Sequence, residues 1–383
     1  MKPQRLIYSA AVDPGIGGMG LNAIHMAGGL SASATVETFA FAKVTGLSGQ
    51  VLPRSWLVRI MGSLPLIRRR HDWHDWLVCR SFSRNVARRI ADDVQIFVGV
   101  LGQSLDGFLR ADSLGIRKVL DCPTLHPSTF RSAQSKSGAF FKLRPRISIQ
   151  MLSRMQREIK LADKIRVMSR VARDDFVANG VPAKKIIVAT PPIDLSGYTR
   201  ADFSSDTFKI NYVGLLEPAK GIRTLLHAYE KVQYERNIEL RIWGGTGSRS
   251  MSRLLHDYQA RLPGILVRPG SIMQHGLKEV YGNASLQVHP SLSDGFGYVV
   301  QEAMAAGLPV IVTDTTGAAD IVEHGRSGFI VPPEESSAIA QRISYLYDNR
   351  SQLPVLGANA RSAAALCTPD SFSASLAPLT SFS

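Results

Sequence analysis

Two carboxylates eight positions apart, Asp294 and Glu302, flank a glycine-rich loop, Asp294-Gly295-Phe296-Gly297, in a chain of 383 residues. On one continuous helix that spacing would span about 12 Å of rise and about 80° of rotation, too far for a pair sharing one proton. With Asp294 in the loop and Glu302 one turn into a following helix, the two can instead hold opposite ends of one elongated ligand. Carboxylates accept hydrogen bonds from vicinal hydroxyls, so a sugar at one end and a ribose at the other would fit. Gly295 and Gly297 let the backbone approach a ligand that a Cβ would exclude. The N–H groups from Phe296 through Tyr298 to Val299 open the helix, and with the positive end of its dipole they suit a phosphate or diphosphate.

These residues need a strand to carry the loop and a helix to follow it. Ser285 to His289 reads as a buried strand, Tyr298 to Ala305 as a helix, and Leu308 to Val312 as the next strand, with Gly307 ending the helix between them. An ordinary β-loop-α-β unit whose glycines serve turn chemistry alone is the plainer alternative. The ordered stretch VHPSLSDGFGYVVQEAMAAGLPVIVTD and the later DIVEHGRSGFIVPP go beyond it. Together they resemble the signature of the retaining glycosyltransferases of family 4 (glycosyl transferases group 1). That family has the GT-B fold, two Rossmann-like doubly wound α/β domains facing a central cleft. Its pattern is Glu-x7-Glu, and here it reads Asp294-x7-Glu302.

The length favours two domains. Hydrophobic residues make up 45% and charged residues 20%, as in a globular chain, and no apolar run reaches the length of a membrane span. The amino terminus lacks a signal-peptide layout, so a cytoplasmic protein is expected. Cys79, Cys122 and Cys367 are too scattered for a disulfide framework or a zinc site. Residues 1–200 carry 30 Lys and Arg against 14 Asp and Glu, while residues 201–383 carry 15 against 17. The basic half would attract an anionic membrane surface or a phosphorylated acceptor. Nucleic acid is not expected, because no binding motif accompanies the charge.

In the first half, Arg5 to Ala11 reads as a strand, followed by the glycine loop around Gly17 and Gly18 and a helix from about Leu21. The resemblance places Gly17 and Gly18 against the donor phosphates and the acceptor; a tight turn is the alternative. Residues 54 to 90 set Trp56, Trp73 and Trp76 among arginines, which suits either an interfacial amphipathic helix or a helix packed on its own domain. Strands are expected at Val94 to Gly99, Arg117 to Cys122 and Lys185 to Ala189, and helices at Gly102 to Leu114, Met151 to Ala162 and Arg170 to Asn179. His126 sits in the polar loop after Arg117 to Cys122, where open α/β sheets place ligand groups. By resemblance it lines the acceptor side; a purely structural histidine is the other reading. The polar stretch Leu195 to Asp206 reads as a linker, so domains are expected at 1–195 (acceptor side) and 196–365 (nucleotide sugar), with a tail at 366–383 crossing back to the first.

In the second half, Phe208 to Gly214 and Leu240 to Trp243 read as strands, and Gly244 follows the latter at a place suited to close backbone contact with a nucleotide. A helix is expected at Ala318 to His324 and a hairpin-like turn at Gly325 to Pro333. The resemblance puts Lys220 on the donor diphosphate, Asp294 on the donor sugar and Glu302 on the ribose. Where the family has an arginine, this chain has Leu215; another basic residue, such as Arg170 or Arg223, would supply that charge, or the donor would bind more weakly. No Asp-x-Asp motif occurs, so chemistry without a metal or other cofactor is expected. The resemblance implies transfer of a hexosyl group from a nucleotide-diphosphate sugar to a glycan or lipid-linked acceptor, in polysaccharide or glycolipid assembly. A GT-B protein that binds nucleotide or a partner without turnover, and a nucleotide-sugar epimerase, are the alternatives.

Overall fold

The computed structural model describes residues 4–54, 71–141, 145, 147–234, 236–245, 248–268 and 274–381. Trp56, the arginine run 68–70, the basic cluster 142–146 apart from Pro145, and Gly247 lie outside the described residues. The chain divides into two compact units. One comprises residues 1–132, 145–192 and 369–383; the other comprises 133–144 and 193–368.

The first unit is built on a seven-stranded parallel sheet. Its strands are β1 (Arg5–Ser9), β2 (Thr35–Ala40), β3 (Ser48–Val51), β4 (Ile96–Val100), β5 (Arg117–Cys122), β6 (Lys164–Val167) and β7 (Ile186–Val188). They run in the order β3-β2-β1-β4-β5-β6-β7. β4 is buried along its whole length, as strands covered by helices on both faces must be. The helix after β1 begins at Gly17, a turn earlier than Leu21, because Gly17 adopts φ +65° and turns the chain directly into it. The terminal helix Pro369–Thr380 packs on that first helix, with Phe372 and Leu376 closing over Gly29, where a Cβ would lie 2.8 Å from both.

A buried polar network crosses this unit. Arg166 Nη1 pairs with Asp121 Oδ1 at 3.0 Å, both fully buried. Asn22 and the Tyr8 hydroxyl donate to the other Asp121 oxygen at 2.7 and 3.1 Å. Arg166 also donates to Ala189 O and lies under the Phe372 ring. A buried ion pair needs such satisfaction to be tolerated. The network ties β1, β5, β6 and the terminal helix together.

The second unit has a six-stranded parallel sheet made of β8 (Phe208–Val213), β9 (Ile238–Trp243), β10 (Ile265–Arg268), β11 (Leu286–His289), β12 (Val310–Thr313) and β13 (Gly328–Val331), in the order β10-β9-β8-β11-β12-β13. Its core joins Ile210, Tyr212, Leu225, Leu240, Val288 and Ile343, among others. The hairpin-like reading of Gly325 to Pro333 is corrected: β13 pairs in parallel with β12 from Val310↔Gly328 to Thr313↔Val331. Ala318 to His324 forms a short 3-10 segment, Gly317–Ile321, rather than an α-helix. Helices Pro127–Phe140 and Leu353–Ala365, absent from the sequence reading, also form.

Candidate functional site

In a doubly wound sheet, ligands gather at the carboxyl ends of the strands where the strand order reverses. In the second unit that point lies between β8 and β11, which are neighbours. The chain leaves β8 through Gly214 and turns at the 3-10 segment Pro218–Lys220 into helix Ile222–Val232. It leaves β11 through residues 290–297 and enters helix Tyr298–Ala305. The two loops are stitched together: Leu292 N donates to Ala219 O at 2.9 Å. Gly221, at φ +71°, sits where a Cβ would lie 1.8 Å from Pro290 O, so only glycine fits that crossing.

This crossing brings Lys220 and Asp294 together. Lys220 Nζ lies 2.5 Å from Asp294 Oδ2, with the side chains 23% and 17% exposed, so the pair borders solvent. His289, at the end of β11 and 3% exposed, places Nε2 3.1 Å from the same oxygen. The other carboxylate oxygen faces the Phe296 N–H at 3.4 Å. Burial alone would raise the Asp294 carboxyl, but the Lys220 charge and the His289 hydrogen bond pull harder and hold it well below the usual carboxylate range. The Asp294 main chain is fixed from the far side, its N–H donating to Thr315 O and its carbonyl accepting from Gly317 N.

Gly297, at φ +90°, starts the helix and offers it no side-chain cap. Its missing Cβ would meet Thr316 and the His289 ring, 3.1 and 3.4 Å away. Gly297 thus supplies no side-chain acceptor to the first turn of the helix. Phe296 is buried and packs edge-on against Tyr298. Glu302 lies one turn further in. Its Oε2 accepts from the Tyr281 hydroxyl at 3.0 Å. Burial raises the Glu302 carboxyl, partly offset by that bond.

Gly244, which follows β9, adopts φ +152°, and a Cβ there would lie 1.8 Å from Gly214 O. Close packing of two strand ends thus requires this glycine. Leu215 is 56% exposed. Arg223 lines a cavity of about 190 Å³ with Pro218, Gly221, Thr224, His227 and Leu292. It is therefore a basic residue close to the Lys220 turn, whereas Arg170 belongs to the first unit.

Gly17, Gly18 and His126 also belong to the first unit. Gly17 and Gly18 are exposed, and nothing lies within 4 Å of a Cβ at Gly17. His126 is mostly buried against Phe176, with ring centroids 5.2 Å apart. Its Nδ1 accepts from Ser128 N, its main-chain N donates to Asp175, and burial lowers its pKa. These contacts fix the start of helix Pro127–Phe140. Two residues of the second-unit site were missed in the sequence, His289 and Tyr281. A histidine at the end of an otherwise apolar strand, next to a candidate loop, was the available signal for the first; nothing local marks the second.

Residues 200–363 match the family model described as "Glycosyl transferases group 1". Among curated relatives, the capsular polysaccharide biosynthesis glycosyltransferase CapM of Staphylococcus aureus is 31% identical over 161 residues, 41% of each chain. The putative colanic acid biosynthesis glycosyltransferase WcaL of Salmonella typhimurium is 27% identical over 175 residues, 43% of each. The chain thus spans about two fifths of the length of these relatives. Two solved structures match nearly end to end. Sucrose-phosphate synthase of Thermosynechococcus elongatus has TM-score 0.77 at 19% identity, over 98% of both chains. Anabaena HepE, solved with UDP and glucose, has TM-score 0.74 at 19% identity, over 99% of this chain and 100% of its own. At such identities the likeness is one of architecture, and that architecture is the expected one: two parallel doubly wound sheets of the GT-B fold.

Proposed function

We propose that this chain is a retaining glycosyltransferase that takes a hexosyl group from a nucleoside-diphosphate sugar. The Lys220–Asp294 pair at the strand-order reversal, beside an uncapped helix start, carries this reading. Lys220 and the N–H groups from Phe296 to Val299 would bind the diphosphate and stabilise it as it leaves. Asp294 would hold the donor sugar hydroxyls and Glu302 the ribose. In front-face transfer the C1–O bond to phosphate breaks as the acceptor oxygen bonds C1 on the same face. The acceptor proton passes to the departing phosphate oxygen, so no metal and no protein base is required. Gly17, Gly18 and His126 are proposed for the acceptor side, and Gly244 for the nucleotide.

CapM and WcaL are named for capsular polysaccharide and colanic acid biosynthesis, so polysaccharide assembly is the proposed setting and a glycan or lipid-linked molecule the proposed acceptor; HepE, solved with UDP, makes UDP the first nucleotide to try. Trp73, 47% exposed on helix His71–Ala87, and the basic surplus of residues 1–200 support peripheral contact with an anionic membrane. Among the described residues no helix is long and apolar enough to cross one.

The test is transfer from radiolabelled UDP-, GDP- and ADP-sugars to a lipid extract, with the anomeric configuration of the product read by NMR. An α-linked product from an α-donor, formed in excess EDTA, supports the proposal. An inverted product or chelator-blocked transfer refutes the mechanism. The exposed Leu215, where a second cation would sit, favours one rival, nucleotide binding without turnover. Binding with neither transfer nor hydrolysis would establish it.

A further inference from the structure

The Tyr281 hydroxyl sits in a side chain with no exposed surface, on helix Gln274–Gly282 just before β11. Burial and the nearby Glu302 charge push that phenol far above the usual tyrosine range, so it keeps its proton and acts as a donor. Its partner is one oxygen of Glu302, at 3.0 Å. Among the described residues, Glu302 Oε1 has no hydrogen-bond partner. A carboxylate on a rotatable side chain loses rotamer freedom when it is fixed by one oxygen. Here a buried phenol does the fixing before any ligand arrives, so a ligand hydroxyl meets a carboxylate already held in one place.

We infer that Tyr281 is the positioning residue for Glu302: it commits Oε2 and leaves Oε1 to read the ribose hydroxyls of the donor nucleotide. This rests on the ribose role proposed for Glu302. Nucleotide selection then depends on one hydrogen bond, from the Tyr281 hydroxyl to Glu302 Oε2, and the ribose is read through a single carboxylate oxygen. Tyr281→Phe removes one hydroxyl and keeps the ring that fills the core.

The experiment is calorimetric titration of native protein, Tyr281→Phe and Glu302→Gln. Each is titrated with whichever of UDP, GDP and ADP binds the native protein tightest, and with its 2′,3′-dideoxy analogue. The native protein should prefer the ribonucleotide by about tenfold or more, the worth of a hydrogen bond to a charged group. Tyr281→Phe should lose most of that preference while binding the dideoxy analogue as the native protein does. Its affinity should also fall off at a higher pH on the acidic side, because Glu302 loses a bond that favours its ionised form. Equal weakening toward both nucleotides would make Tyr281 merely structural, and an unchanged preference would refute the inference outright. If Glu302→Gln keeps the preference, or no nucleotide binds the native protein, the ribose reading itself falls. A single cooperative melting transition in Tyr281→Phe, lowered by no more than the loss of one hydrogen bond, separates any of these outcomes from misfolding.

Discussion

Lys220 Nζ and Asp294 Oδ2 stand 2.5 Å apart although 74 residues separate them, because β8 and β11 are adjacent and their loops cross at Gly221. The pair is half of what a sugar diphosphate requires: a cation for the phosphates and a carboxylate for the hydroxyls. In the free protein each neutralises the other. A bound diphosphate would have to draw the Lys220 ammonium toward itself.

Lys220→Ala should therefore weaken nucleoside-diphosphate affinity by at least tenfold and cut turnover by about 10²- to 10³-fold, as loss of one donor to a departing oxyanion does. Lys220→Arg should recover part of both. Steady-state kinetics that leave turnover within twofold of native would remove Lys220 from the mechanism.

Glu302 carries a strain that shows in stability. Its carboxyl is raised in the folded state, so ionising it disfavours folding. The sign follows: the penalty is absent below the ordinary glutamate pKa, grows as pH rises through the raised folded value, and is complete above it. Glu302→Gln should melt higher than native at neutral pH and equally at pH 4, while losing about tenfold or more in nucleotide affinity. A lower midpoint at neutral pH would contradict the burial argument.

The opposite sign holds for Asp294, whose carboxyl lies below its ordinary value. Its stabilising contribution is present above the unfolded pKa and disappears only as pH falls through the depressed folded one. His289→Leu removes one of the two bonds responsible, so the acidic limb of the rate–pH profile should move to higher pH and turnover should fall about tenfold. An unmoved limb would mean that Lys220 alone sets Asp294.

Gly244→Ala should cost about 3 kcal/mol or more, since its Cβ meets Gly214 O at 1.8 Å in a backbone conformation foreign to alanine. Gly17→Ala, with open space around it, should cost only about 1 kcal/mol for its positive φ. Denaturant titrations of the two variants give both numbers. Comparable costs would show that the strand ends can yield.

Local signals made much of this legible. Helix Tyr298–Ala305 could be read to its last residue because Gly297 and Gly307 punctuate both ends of an apolar run. β3, Ser48–Val51, was invisible: it is a polar, exposed edge strand, defined by its pairing with β2 and not by its own composition. Gly325 to Pro333 looked like a hairpin because its glycines dominate the local pattern, whereas β12 decides the direction in which β13 pairs. The meeting of Lys220, His289 and Asp294 was not legible from spacing at all, since strand order creates it. Tyr281 was hidden for the same reason: the phenol matters only through a helix 21 residues further along.

The most direct test of the central claim is calorimetric titration of the native protein, Lys220→Ala and Asp294→Asn with UDP-, GDP- and ADP-sugars. One nucleotide series should bind the native protein, with each substitution weakening it by at least tenfold while the melting midpoint stays within a few degrees of native. Undiminished binding in both variants would place the nucleotide elsewhere, and no binding to well-folded native protein would contradict the claim itself.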